Sequence, residues 1–407
     1  MTRQGRLALG LGVATYAAAW AFGSKPLYPV ATGLLLAVLL AWAWVRLATK
    51  PMRLVRSAGD GDHLEGDDLR VHLVLEHEGR VAPASVVVVE DVGRLGERRT
   101  PLRRSEGRLY ARYVLRSLPR GRYPFQGARA VIEDPFGLER AEVPLEGGGG
   151  ALLVYPRLVE LERLFSETGA HSPDGRRLLL RRPSGFELHS VREYEHGESL
   201  RKVHWRSTAR RGQLMVKDLE DAPRDEVAVL LDADASAVVG TPPDSSFDAQ
   251  VRAAGSILRS HVRRGRRAVL VVSSALPEAQ RVHSSDGDWR RALELLAAVE
   301  PTGRAPLATL LAVEESPASR ALDLAVVTAR LAPELVDRLV QRALSRRRAS
   351  LVYVDGASFA DGVAAQRRRE PALLRLQAAG VPVAVIRRGD DLAACLGAAE
   401  VSGAARA

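Results

Sequence analysis

Apolar and polar positions follow three successive rhythms along this chain. Residues 7–24 and 26–45 form two uncharged stretches separated only by Lys25. A membrane span needs about 20 apolar residues, so the pattern predicts a transmembrane helical hairpin over residues 1–50, with helices at about 7–24 and 26–45. Trp20, Tyr28, Trp42 and Trp44 fall where the bilayer interfaces would lie. The segment "AAAWAFGS" also offers the small residues of a signal-peptide cleavage site, but a second, stronger apolar stretch follows at once and favours the hairpin. Arg3 and Arg6 precede the first stretch, and Arg46, Lys50, Arg53 and Arg56 follow the second. By the positive-inside rule both ends of the hairpin, and the rest of the chain, face the cytoplasm.

A second rhythm runs from Leu69 to Pro144, where apolar residues alternate in short runs such as "LRVHLVLEHEG" and "ASVVVVED" separated by Gly and Pro. Period-two alternation with turn residues predicts a small antiparallel, β-sandwich-like module over residues 55–146. The run Gly147–Gly150 reads as a boundary or flexible join. Residues 151–221 form a less regular connector. Within it "GESLRKVHWRSTARRG" predicts a short helix that starts at Glu198 and is capped by Gly212, and "GQLMVKDL" predicts an edge strand.

The third rhythm begins at Val227. Continuous apolar runs, "VAVLLD", "RAVLVVSS", "LDLAVVTA", "ASLVYVDG" and "VPVAVIRRG", alternate with helical stretches near 247–264, 288–299, 333–347 and 371–379. Strands apolar at every position are buried on both faces, so residues 225–395 predict an α/β doubly wound parallel sheet. Ligands of such sheets sit at the carboxyl ends of the strands.

Composition narrows the choices. A chain of 407 residues, 46% hydrophobic, is large enough for several domains, and the net charge of +10 favours acidic partners. Interleaved acids make most of that charge a solvated surface. Cys395 is the single cysteine, which excludes an intrachain disulfide, a Cys zinc site and a Cys-x-x-Cys redox pair.

Asp232, Asp234 and Ser236 alternate just past the first buried strand, where oxygens can converge on a hard cation. The spacing resembles the start of the metal-ion-dependent adhesion site of von Willebrand factor A domains, with Asp234 where that pattern has its first Ser. The resemblance implies Mg²⁺ held with a Thr from a later loop and an Asp ending the fourth strand. Thr302 and Thr309 fall in the candidate loop, while Ala329 and Arg330 stand where the acid belongs. The alternative is that these acids cap the following helix and hold no metal. Absence of a cofactor is the primary expectation.

The stretch "SGFELHSVREYEHGESLRKVHWRSTARRGQLMVKDLE" carries a denser pattern, in Arg192, Glu193, Tyr194, Gly197, Glu198, Arg201, Trp205, Arg206, Ala209, Arg210, Gly212 and Leu214. It resembles the signature of the bacterial "domain of unknown function 58" family, with Glu198 replacing the more usual Asp. Two spans, a β module with "RGRY" and "DPFGL", and a degenerate von Willebrand A-like domain are that family's layout. The resemblance implies a multi-pass protein of the bacterial inner membrane and, as partner, a MoxR-type AAA+ ATPase. Arg pairs well with carboxylates, so Arg192, Arg201, Arg206 and Arg210 with the nearby acids suggest a structural clamp with Trp205 as a buried anchor. A partner-docking surface is the second reading of this stretch. Nucleic-acid binding is the third and is not expected, since a single Trp offers little for bases to stack on.

No nucleophile elbow, phosphate-binding loop or His-Glu-x-x-His motif occurs, and His171, His189, His196 and His204 fit no common zinc spacing. The sequence therefore points to a non-enzymatic, membrane-anchored interaction scaffold with Arg330 at the partner rim. The alternative is a metal-dependent binder or hydrolase using Asp232 and Asp234.

Overall fold

The computed structural model describes residues 1–59, 61–77, 83, 85–105, 108–147, 149–167, 187–193, 203–220, 227–283, 286–361 and 370–397. The chain divides into two compact units, Met1–Arg157 and Leu158–Ala407.

The first unit opens with helices α1 (Arg3–Phe22) and α2 (Leu27–Ala48). They are joined through Gly23, which ends α1 in the left-handed conformation at φ 65°. Small residues, Gly12 and Ala19 of α1 and Ala31 and Ala41 of α2, are buried along them, whereas Leu7, Leu11, Trp20, Leu36 and Leu40 are exposed. Among the described residues one helix, α2, is long and apolar enough to cross a membrane by length and composition. Helix α1 carries Arg3, Gln4 and Arg6 in its first turns, which shortens its apolar length.

Among the described residues eleven strands follow: β1 (Met52–Ser57), β2 (His63–Leu64), β3 (Leu69–His77), β4 (Ser85–Val92), β5 (Glu97–Pro101), β6 (Arg103–Ser105), β7 (Arg108–Leu115), β8 (Gly121–Glu133), β9 (Arg140–Pro144), β10 (Glu146–Gly147) and β11 (Ala151–Tyr155). One sheet has the order β10-β1-β3-β7-β6, the other β2-β11-β8-β4-β5 with β9 also against β8. Successive side chains of a strand point to opposite faces. Leu69, Val71, Leu73 and Leu75 of β3 accordingly share one core with Val86 and Val88 of β4, Ile132 of β8 and Val154 of β11.

The first residue of the glycine run is no flexible join. Gly147 lies in β10 opposite Leu54, and a Cβ there would meet the Leu54 carbonyl oxygen at 2.8 Å, so a larger residue would break the pairing. Beyond it β11 pairs antiparallel with β8, and the β module runs through Tyr155 rather than ending at 146.

One ion pair is closed inside this module. Arg56 of β1 binds Glu90 of β4, with Nε donating to Oε1 at 3.0 Å, and its guanidinium lies 3.6 Å from the centroid of Phe125. Tyr113 donates to the other Glu90 oxygen at 3.0 Å. Burial, and then the Glu90 charge, raise the Tyr113 pKa.

In the second unit, β12 (Glu187–Glu193) pairs antiparallel with β13 (Met215–Glu220), and α3 (Trp205–Arg211) lies between them in sequence. A six-stranded sheet follows, built from β14 (Val227–Leu231), β15 (Ala268–Val272), β16 (Glu278–Val282), β17 (Asp323–Thr328), β18 (Arg348–Val354) and β19 (Val383–Ile386). Its helices are α4 (Ser246–Arg263), α5 (Asp286–Ala298), α6 (Leu307–Ala312), α7 (Pro317–Arg320), α8 (Pro333–Leu344), α9 (Pro371–Ala378) and α10 (Leu392–Leu396). The strand order is β16-β15-β14-β17-β18-β19, parallel except for the antiparallel edge strand β16.

Every residue of β14 and β15 is buried, and alternate residues enter two different cores. Val229 and Leu231 pack with Ile257 and Leu258 of α4 and Leu296 of α5. Ala228 and Leu230 join Leu335 and Leu339 of α8 and Leu376 of α9 in a second cluster. From β14 the chain goes first to β15 on one side and later to β17 on the other. The end of β14 is thus the point where strand order reverses, the place where open α/β sheets form a crevice.

Candidate functional site at the carboxyl edge of the sheet

Asp232 follows β14, and its N–H donates to the Val327 carbonyl of β17 at 2.9 Å. Its buried carboxylate ties three strand ends together. Oδ2 accepts from Thr328 Oγ1 at 2.6 Å, and Oδ1 accepts from Ser273 Oγ, just past β15, at 3.2 Å. The Asp234 N–H also donates to Oδ1, at 3.2 Å. Burial pushes the Asp232 pKa up, and the bonds from Thr328 and from the Asp234 N–H only partly oppose it.

Asp234 sits further out. Its Oδ1 accepts from the Ser236 N–H and hydroxyl, both at 2.8 Å, which caps the single turn formed by Ala235–Ala237. Its Oδ2 accepts from Arg330 Nη1 at 3.2 Å, and the same nitrogen donates to Ser236 Oγ at 3.1 Å. Burial pushes the Asp234 pKa up, but the bonds from Ser236 and Arg330 outweigh it and hold the carboxyl below its ordinary value. Arg330 is aimed by Thr328, whose hydroxyl accepts from the Arg330 N–H at 2.9 Å.

The floor of the crevice is a glycine. Gly303 bridges to Asp234, donating to the Ala233 carbonyl at 2.7 Å and accepting from the Ala235 N–H at 3.1 Å. A Cβ there would lie 2.2 Å from the Ser273 carbonyl oxygen and 2.8 Å from that of Ala233. Pattern reading missed Gly303, Ser273 and Thr328; only the adjacent "PTGRAP" turn signalled the glycine.

The structure brings together Asp232, Asp234, Ser236 and Arg330. Thr302 serves elsewhere, accepting from the Ala275 N–H at 3.2 Å, and Thr309 lies within α6. Ala329 packs against the core. This arrangement does not fit a divalent cation. Both Asp232 oxygens already accept protein hydrogens, and a guanidinium occupies the Asp234 edge where metal charge would have to sit. Among the described residues no group of three or more His, Cys, Asp or Glu side chains is placed to hold a metal.

The signature stretch departs from its sequence reading. Helix α3 runs from Trp205 to Arg211, and just before it the His204 N–H donates to the Met215 carbonyl at 2.8 Å; the expected start at Glu198 lies outside the described residues. His204 caps it through Nδ1, and Gly212 ends it at φ 67°. Trp205 is 66% exposed and is therefore not the buried anchor. Val203 and Met215 are buried instead, and the Met215 N–H donates to Thr208 Oγ1 at 3.0 Å. Arg206 and Arg210 are exposed on α3. On β12, Arg192 stands opposite Val216 and Glu193 opposite Met215. Tyr194, Gly197, Glu198 and Arg201 lie outside the described residues.

An open, mostly parallel sheet whose crevice at the strand reversal is lined by Asp, Ser, Thr and Arg side chains defines an α/β domain with its candidate site at the carboxyl edge. The chain belongs to the family described as "Protein of unknown function DUF58", whose model matches residues 190–395. It is similar to the uncharacterized protein YeaD of Bacillus subtilis (strain 168), 27% identical over 232 residues, which cover 55% of this chain and 54% of that protein. The match therefore spans about half the length of that relative. Among solved structures, a von Willebrand factor type A protein from Catenulispora acidiphila aligns over 42% of this chain and 40% of its own, with 14% identity and a TM-score of 0.28.

Proposed function

We propose that this protein is a membrane-anchored scaffold whose doubly wound, von Willebrand A-like domain offers the carboxyl edge of its sheet to a protein partner. Arg330 there makes the contact that a bridging cation makes in a complete adhesion site. The observation that carries the reading is the posture of Arg330, which is 63% exposed at the strand reversal yet oriented by Asp234 and Ser236. A pre-aimed guanidinium binds a partner carboxylate with little further ordering cost. Family resemblance favours a MoxR-type AAA+ ATPase as that partner. The chain performs no chemistry in this reading, since Asp232, the buried carboxylate of the crevice, is enclosed by Thr328 and Ser273.

The anchor in this reading is the α1–α2 hairpin, spanning the inner membrane twice with the remainder of the chain in the cytoplasm. Large apolar side chains exposed on both helices, including Leu11, Trp20, Leu36 and Leu40, support it, as does the basic bias of Arg3, Arg6, Arg46, Arg53 and Arg56.

The test is co-purification of the MoxR-type ATPase with the detergent-solubilised full chain. Retention should survive EDTA and fall about tenfold, the equivalent of 1.4 kcal/mol, with Arg330→Glu. A complex that dissolves in EDTA and ignores Arg330→Glu overturns the reading in favour of a working metal at Asp232 and Asp234.

A further inference from the structure

The turn after β8, "EDPFGL", is built as a rigid mount for one exposed aromatic ring. The buried Asp134 carboxylate accepts from the Phe136 N–H at 2.9 Å and from the Glu139 N–H at 2.6 Å, and the Gly137 N–H returns to the Asp134 carbonyl at 3.1 Å. Gly137 takes φ 68°, which lets the chain reverse tightly. Phe136 on this locked turn is 75% exposed. Backbone stapled by a buried acid and a ring left outside make no contribution to the module's own core.

The same turn is fastened to the first turn of α1. The Thr2 N–H donates to the Leu138 carbonyl at 3.1 Å, and the Thr2 hydroxyl donates to the Gly137 carbonyl at 2.6 Å while accepting from the Gly5 N–H at 3.0 Å. Gly5 is required by the approach, because a Cβ there would meet the Leu138 oxygen at 2.0 Å. Helix α2 is tied to the same module at its far end, where His77 Nε2 hydrogen-bonds the Ala48 carbonyl at 3.2 Å and Ala48 itself enters the module core.

We propose that Phe136 inserts into the headgroup layer of an anionic bilayer, making the "EDPFGL" turn a membrane-contact site that seats the β module on the lipid surface. The proposal rests on the two-span reading of α1 and α2. Helical rise sets the depth: Leu7, where the uncharged stretch begins, is two residues beyond Gly5, or about 3 Å along the axis. The interfacial layer on each side of the hydrocarbon is about 5–8 Å thick. A turn packed on Gly5 therefore lies within that layer, where aromatic rings are favoured. Arg3 and Arg6, exposed on the same turns of α1, supply the cations that attract anionic headgroups. A soluble partner protein would gain a single ring from this turn, whereas the lipid surface is already brought to it by the helix it is bonded to.

Cys395 is the single cysteine, so Cys395→Ser gives a background for site-specific labelling. In the full chain, reconstituted in nanodiscs of phosphatidylethanolamine and phosphatidylglycerol, Phe136→Cys and Leu36→Cys would each carry an environment-sensitive fluorophore. The Phe136→Cys label should be quenched several-fold more by lipids spin-labelled near the headgroup than by aqueous iodide, and the Leu36→Cys label by lipids spin-labelled deep in the chain. A Leu36→Cys label quenched by deep lipid with a Phe136→Cys label quenched by iodide alone overturns the contact site and leaves the spanning helices standing. Protection of the Phe136→Cys label from both quenchers, the mark of a protein contact, also overturns it. A Leu36→Cys label open to iodide defeats the spanning reading and the contact site with it.

Discussion

Thr328 Oγ1 and Asp232 Oδ2 are joined by a 2.6 Å hydrogen bond between the ends of adjacent parallel strands, and Thr328 is fully buried. Replacing Thr328 with Val removes that donor without changing shape and leaves a buried carboxylate oxygen short of a partner. The cost should be about 1–3 kcal/mol in urea unfolding. A Thr328→Val protein as stable as the parent would mean that Asp232 does not depend on this bond.

The two acids should pull the pH dependence of stability in opposite directions. Asp232 has a raised folded pKa, so its stabilising contribution is full below the ordinary carboxylate value and is lost as pH rises through the raised one. Asp234 has a lowered folded pKa, so its contribution is present above the ordinary value and is lost as pH falls through the lowered one. Urea midpoints measured from about pH 3 to about pH 7 should lose the decline on the rising side in Asp232→Asn and the decline on the acid side in Asp234→Asn. Unaltered profiles in both variants would remove these groups from the linkage.

Gly303→Ala should destabilise the second unit by about 1–3 kcal/mol or more, because its Cβ would collide with the carbonyl oxygens of Ser273 and Ala233. Backbone cannot swing aside as a side-chain tip can. A melting temperature equal to the parent's would show that the crevice floor is looser than its distances imply.

Trp205→Ala should change stability by no more than about 0.5 kcal/mol, the range of exposed positions, whereas Met215→Ala should cost about 2–5 kcal/mol. Loss of partner capture by the stable Trp205→Ala protein would place α3 in an interface.

In the β module, Glu90→Gln should cost about 3–5 kcal/mol, since it removes the negative charge that balances Arg56 in a nearly closed interior beside Phe125. Replacing Arg56 and Glu90 together with Met and Leu should restore most of the loss. A double variant as weak as the single one would contradict this account.

What could be read from sequence divides along physical lines. The parallel strands were legible because burial on both faces leaves runs such as "VAVLL" with no polar break. Asp232, Asp234, Ser236 and Arg330 were legible as neighbours because strand ends in an open sheet converge. Trp205 was misread since a Trp among arginines gives no periodicity, and exposure then depends on where a helix of seven residues starts. Gly147 was misread as part of a flexible join because glycine permits both slack and close approach, and only the Leu54 carbonyl decides between them. Arg56 and Glu90 lie 34 residues apart on different strands, and nothing local in either foretells the pair.

The antiparallel strand β16 has a bearing on crowding. At high local concentration an open sheet invites strand-to-strand addition along any bare edge. Here one edge is β16, with Glu278 and Arg281 exposed along it, and the other is β19, four residues long between Pro382 and the pair Arg387 and Arg388. Charge on one side, and a strand of four residues flanked by proline and arginine on the other, weaken both edges as templates for strand addition by a second copy.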